Sequence, residues 1–174
     1  MKVSLDAIKA LREKTSASLN DVRAALESSG GNEAKALEFL RARGAQIAEK
    51  RSGRTAAQGR VESYLHHDGR LAAIVEINCE TDFVARTADF TQFCRDVAMQ
   101  VAAMNPQYLR REDVPSNGGH SAETAKALCL LEQPFVKDQG TMVGDMLKAL
   151  IAKTGENVVI RRFARFAVGE SGGA

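Results

Sequence analysis

Cysteine is scarce and poorly placed for structural chemistry. The 174-residue chain has three, Cys79, Cys94 and Cys129, an odd count, widely spaced and never in a C-x-x-C pair. That pattern excludes a disulfide framework and a zinc ribbon, and free thiols in a reducing cytosol are expected. Histidine is equally sparse. His66 and His67 are neighbours in a predicted strand, so their side chains should point to opposite faces; with only His120 besides, no metal site is expected. Long apolar runs are missing too, and nothing approaches the ~20 consecutive apolar residues of a membrane-spanning helix. Behind Met1 and Lys2 there is no apolar stretch, and Asp6 and Glu13 fall where a targeting peptide avoids acids, so a cytoplasmic protein without membrane attachment is expected. The chain has neither a G-x-x-x-x-G-K-[ST] loop nor a G-x-S-x-G elbow, which excludes a self-contained nucleotide enzyme of the common kind and the usual serine hydrolase. No catalytic residue and no cofactor are expected. Charge of one sign is also lacking: 24 cations oppose 22 anions, interspersed along most of the chain, where a dedicated nucleic-acid binder would be more basic.

What is present begins with three short helices over residues 1–44. Ser4 precedes Leu5, Ile8 and Leu11; Ser18 precedes Leu19, Val22, Ala25 and Leu26, with Asp21 at the third helical position as a shorter relative of the capping-box acid. Asn32 opens the third helix, whose Ala36, Leu37 and Leu40 share a face, and Gly44 stands where a left-handed C-terminal cap would. Over residues 45–59 the apolar period fades into Gln46, Glu49, Lys50, Arg51, Ser52, Gly53 and Arg54, a linker composition. A module boundary is expected there.

The period then changes to two. Val61, Ser63 and Leu65 alternate, Asp68-Gly69 supplies a turn, and Leu71, Ala73, Val75 and Ile77 run back as a β-hairpin. A long helix carries Phe90, Cys94, Val97, Val101 and Met104 and stops at Asn105-Pro106, because proline cannot continue it. A short helix is expected from Ser121 to about Leu131. Another should begin near Thr141, bury Val143, Met146, Leu147, Leu150 and Ile151, and end at Gly155. Residues 158–168, rich in β-branched and aromatic side chains, read as a third strand, and a flexible tail is expected over 170–174. The fold class is therefore α+β: a three-helix bundle (1–44), a linker (45–59), then a core over 60–169 in which a three-stranded antiparallel sheet packs with helices. Helices can cover one sheet face, and Arg161, Arg162 and Arg165 interleave with apolar residues in the last strand. The second face should stay partly open, and self-association is the economical way to cover it.

Chemistry concentrates in Asn78-Cys79-Glu80-Thr81-Asp82-Phe83-Val84-Ala85-Arg86, between the second strand and the long helix. Spacing permits two accounts. In one, Asp82 or Thr81 caps a helical turn and Phe83 tucks back onto the sheet; in the other, the segment is held out for a partner. Cys79 beside Glu80 could suggest an activated thiol, though a small buried hydrophobe is the commoner role at a strand end. Arg41, Arg43, Lys50, Arg51, Arg54 and Arg60, with Glu49 the only acid from 41 to 60, could be a solvated linker or a contact for RNA phosphates.

Residues 78–90, N-C-E-T-D-F-V-A-R-T-A-D-F, closely resemble a signature of the elongation factor Ts family. Residues 11–26, L-R-E-K-T-S-A-S-L-N-D-V-R-A-A-L, resemble the family's other signature, and Gln133–Val136 and Gly155–Arg162 agree further. The likeness covers nearly all the chain apart from about 115–130. Ser16 departs from it, since the family usually has glycine there, and the chain has one set of strands where longer members have two core subdomains. The resemblance implies a guanine-nucleotide exchange factor of translation whose partner is GDP-bound elongation factor Tu. Thr81, Asp82, Phe83 and Val84 would enter the partner near its magnesium ion and dislodge it, while Arg12 and the turn Ala17, Ser18, Leu19, Asn20 and Asp21 of the N-terminal module would touch the partner's GTPase domain. It also implies a homodimer, as for short members of the family, with no direct contact to nucleic acid. The rivals are an adaptor, because three-helix bundles of this type also resemble ubiquitin-associated (UBA-like) domains, and an RNA-binding protein.

Overall fold

A computed structural model describes residues 3–15, 17–115, 119 and 121–170. Ser16, His120 and the last four residues of the expected tail lie outside the described residues. The elements run α1 (Leu5–Thr15), α2 (Leu19–Ser28), α3 (Glu33–Arg51), β1 (Gln58–Leu65), β2 (Leu71–Cys79), α4 (Asp82–Ala85), α5 (Ala88–Met104), α6 (Ala122–Leu128), β3 (Pro134–Phe135), β4 (Asp138–Met142), α7 (Val143–Thr154) and β5 (Val159–Ala167). The chain divides into two compact units, residues 1–54 with 148–157, and residues 55–147 with 158–174.

The first unit is built on three capped helices. Ser18 Oγ accepts from the Asp21 N–H at 3.1 Å and Asn32 Oδ1 accepts from the Lys35 N–H at 3.1 Å, so both predicted caps satisfy otherwise orphan donors. Ile8, Leu11, Val22, Ala25, Leu26 and Ala36 form the core, with Leu37 and Leu40 packed against it. The third helix does not stop at Gly44. It continues to Arg51, so the first half of the expected linker is helix. Gly44 is buried in that helix, and a Cβ there would lie 3.7 Å from the Lys148 carbonyl oxygen. That distance is ordinary van der Waals contact, so the C-terminal half of α3 packs here at a position that carries no apolar side chain, and the apolar period fades although burial does not. Asn157, itself buried, donates from Nδ2 to the carbonyls of Arg54 at 2.7 Å and Ser52 at 3.4 Å. Those bonds bring residues 148–157 into this unit instead of the strand core.

In the second unit the sheet order is β1-β2-β5, antiparallel throughout. The hairpin loop is longer than the expected Asp68-Gly69 turn. His66 N–H donates to the Leu71 carbonyl and Gly69 N–H to the His66 carbonyl, while Asp68 Oδ1 accepts from the Arg70 N–H at 3.0 Å, which holds the Asp68 carboxyl below its ordinary value. His66 and His67 thus lie in the turn, beyond the end of β1. Their rings tilt together with centroids 4.2 Å apart, against the expectation of opposite faces, and Tyr64 Oη bonds His66 Nδ1 at 3.0 Å. Among the described residues no three His, Cys, Asp or Glu side chains cluster as metal ligands, and no helix is long and apolar enough to cross a membrane.

Ala73, Val75, Ile77 and Ile160 face inward with no more than 1% exposure, and α5 packs on that side through Phe90, Phe93, Cys94, Val97 and Val101. Helix α5 ends where proline predicts, with Asn105 in the left-handed region at φ 46°. Met104, expected on the buried face, is exposed. Gln100 is completely buried and fully bonded: Nε2 donates to Gln133 Oε1 and the Pro134 carbonyl, and Oε1 accepts from the Val136 N–H. This amide anchors the β3–β4 hairpin, which the sequence did not announce; Thr141 lies in β4, and α7 begins two residues later. Short helix α6 is present as expected, capped by Ser121, but it ends at Leu128 and not near Leu131.

Among the described residues, no element of its own unit covers the centre of the opposite sheet face. Val61, Leu65, Ile74 and Phe166 stand on that face of the three strands, 65%, 68%, 44% and 64% exposed, with Leu65 and Phe166 on either side of Ala72. A bulge opposite Glu76 and Ile77 leaves Arg161 as the extra residue of β5. It separates the strand's cations: Arg162 pairs with Glu76 on the open face at 2.6 Å, while Arg165 turns to the covered face, donates to the Ala102 carbonyl and pairs with Glu170. Glu170, the first residue of the expected tail, is thereby held.

Candidate functional site

The segment joining β2 to α5 is two capped turns in tandem. Thr81, in extended backbone, caps α4, its Oγ1 accepting from the Val84 N–H at 3.3 Å. Thr87 caps α5 in the same way, accepting from the Phe90 N–H at 3.3 Å, and its hydroxyl donates back to the Val84 carbonyl at 2.8 Å. Four residues cannot sustain a helix alone, since one turn carries the full cost of nucleation with almost no propagation. The turn is held by what lies under it: Val84 and Ala85 are 6% and 8% exposed, and α4 packs against β1 and β2.

Phe83 points the other way, 78% exposed. Of the two accounts left open by spacing, the cap is formed by Thr81, but the phenylalanine does not tuck onto the sheet. A side chain of this size carries about 150–250 Å² of surface, and leaving it in water has no folding rationale. Beside it, Asp82 pairs with Arg86 one turn on, at 2.9 Å, with both groups largely exposed. A pair so exposed adds little to stability, yet it fixes where the carboxylate stands. Arg86 was not singled out from the sequence, although the i, i+4 spacing of acid and base was there to be read. Val84 serves as the root of the turn, and Thr81, Asp82 and Phe83 are its exposed part.

At the root, Cys79 is fully buried and its Sγ–H donates to the Thr81 carbonyl at 3.1 Å. A thiol so engaged is unsuited to nucleophilic chemistry. All three cysteines are free and buried, and burial pushes the Cys94 thiol up to about 12.

The N-terminal candidates lie in the other unit. Ser18 Oγ, besides capping α2, donates to Asp21 Oδ2 at 2.6 Å, and Asp21 faces Arg43 at 3.7 Å. Arg12, Leu19 and Asn20 are exposed and Ala17 is half-buried. Leu19, at 54%, is the apolar tip of this turn. The structure brings Ser18 and Asp21 together, and Arg12 stands exposed.

The chain that folds in this way matches a known family by its sequence. The family model for Elongation factor TS matches residues 3–122. Similar proteins include the elongation factor Ts of Carboxydothermus hydrogenoformans, 46% identical over 94% of this chain and 88% of that protein. That of Alkaliphilus oremlandii is 45% identical over 98% and 91%, and that of Thermotoga neapolitana 42% identical over 99% and 100%. The chain belongs to the elongation factor Ts family of translation elongation factors.

Proposed function

We propose that this chain is a guanine-nucleotide exchange factor acting on GDP-bound elongation factor Tu, and that Phe83 is its working group. The observation that carries the reading is a large aromatic side chain 78% exposed on a turn whose next two residues are buried. A rigidly rooted apolar tip is shaped to enter a cleft in another protein, where it gains the burial it lacks at home. Asp82, held beside it by Arg86, brings negative charge to the same place. The partner's Mg²⁺ bridges nucleotide phosphates to switch elements, so a wedge that shifts those elements removes charge compensation from the nucleotide and GDP leaves. Arg12 and the turn from Ala17 to Asp21 form a second contact on the partner's GTPase domain.

No proton transfer or covalent step is needed, so the protein is not an enzyme in the usual sense and uses no cofactor. Its action is a coupling free energy: whatever factor it applies to GDP affinity, GDP applies to its own affinity, and neither is tight in the ternary complex. The open sheet face supports self-association, since Val61, Leu65, Ile74 and Phe166 form a flat apolar surface that a second copy would cover. The site of action is the cytoplasm, where translation runs.

The test is release of a fluorescent GDP analogue from purified elongation factor Tu. Acceleration at substoichiometric amounts is expected. Release that saturates only at one-to-one stoichiometry, or does not accelerate, overturns the reading.

A further inference from the structure

The exposed turn has to be aimed as well as exposed, and its own hydrogen bonds do not suffice for that. Helix α4 is one turn long, and a single turn frays unless its ends are fixed from outside. At its start, the Thr81 carbonyl accepts from two directions: from the Ala85 N–H at 3.3 Å, which closes the turn, and from Cys79 Sγ–H at 3.1 Å, which comes from the end of β2. Cys79 has no exposed surface and belongs to a strand paired on both sides. Its thiol is thus a fixed point on the sheet from which one bond reaches the peptide that begins the turn. A thiol is a weak donor, but Cys79 is fully buried, so water does not compete for its S–H.

We propose that Cys79 is a positioning residue of the exchange turn: its S–H sets the orientation of the Thr81 peptide and so the direction in which Phe83 projects. The proposal rests on the reading of Phe83 as the wedge and deepens it by naming what aims the wedge. A group held in its bound direction gives up little freedom on insertion, whereas one that swings freely loses that freedom at the moment of binding. Cysteine is suited here because it combines the volume of a small hydrophobe with one donor, while alanine keeps most of the packing and drops the donor, and serine keeps a donor in nearly the same place.

The experiment measures stimulated GDP release from elongation factor Tu by the wild type, Cys79→Ala, Cys79→Ser, Phe83→Ala and the Cys79→Ala/Phe83→Ala double variant, at protein concentrations corrected for folded fraction. Cys79→Ala is expected to slow release about fivefold, the scale of one lost hydrogen bond, and Cys79→Ser to stay within about twofold of the wild type. On the Phe83→Ala background the alanine penalty should vanish, because there is no wedge left to aim. A purely structural role would give the opposite: equal losses in alanine and serine, and a penalty that persists in full without Phe83. Either of those results, or a Cys79→Ala variant as fast as the wild type while Phe83→Ala is slow, overturns the role of Cys79 and leaves the wedge standing. Phe83→Ala as fast as the wild type sinks the wedge itself. Should Cys79→Ala fail to fold, the Raman S–H stretching band lost in Cys79→Ser decides the matter. A band shifted below the free-thiol position supports the bond, and an unshifted one overturns it.

Discussion

Phe83 and Phe166 are both largely exposed, and the difference between them lies in their surroundings. Phe83 stands alone at the tip of a turn, with a charged pair beside it and buried residues beneath it. Phe166 shares a flat strand face with Val61, Leu65 and Ile74. An isolated apolar tip has little value on a flat surface and much in a cleft; a broad apolar face has the reverse preference. Exposure alone says that a residue awaits something, and the shape around it says what. On the function proposed above, the first region is the wedge into another protein and the second is the face that a second copy covers.

The largest effect should come from the strand pairing beside the turn. Gly59 pairs with Asn78 next to the root of the turn, at φ 151°, and a Cβ there would fall 2.2 Å from the Ile77 carbonyl oxygen. Backbone atoms cannot yield as a flexible side chain can, so Gly59→Ala should destabilise by about 3 kcal/mol in denaturant unfolding. Both regions should lose function together, and an alanine variant of wild-type stability would show that the two are not built on one register.

Separating the regions needs a change on the open face alone. Phe166→Asp buries an unpaired charge in any face-to-face dimer and should weaken self-association about thirtyfold by sedimentation, with exchange per protomer kept. Loss of exchange in parallel would merge the two surfaces into one.

The smallest effect is set by the layer under the sheet. Burial raises the Cys94 thiol from 9.0 to about 12, so above pH 9 the unfolded chain releases a proton that the folded chain retains. The sign follows: the stability contribution is complete below pH 9 and is lost as pH rises toward 12. Cys94→Ala should flatten the fall of the unfolding midpoint over that window, and an identical slope would mean that the thiol titrates freely.

Much of this architecture was legible because it is written in caps and periods. Ser18, Asn32 and Thr81 cap where their side chains predict, β1 and β2 alternate, and Asn105-Pro106 ends α5. The second half of α3 was not legible, because its residues are largely polar and its buried position, Gly44, has no apolar side chain to continue the period. The β3–β4 hairpin was hidden for a related reason. Its strands are short and polar, and they are held by a buried amide, Gln100, that no period reveals. At the candidate site, spacing located the turn but could not orient Phe83, since a cap followed by apolar residues serves an inward and an outward ring equally well. The packing of Val84 and Ala85 made the difference, and that depends on β1 and β2 lying beneath them.

The most direct measurement is stopped-flow GDP release from elongation factor Tu stimulated by Phe83→Ala, with thermal melting and sedimentation run on the same preparation. The account predicts a rate about a hundredfold below wild type, the scale of a central aromatic anchor, with the melting temperature and oligomeric state unmoved. Release at the wild-type rate by a folded Phe83→Ala protein would contradict it.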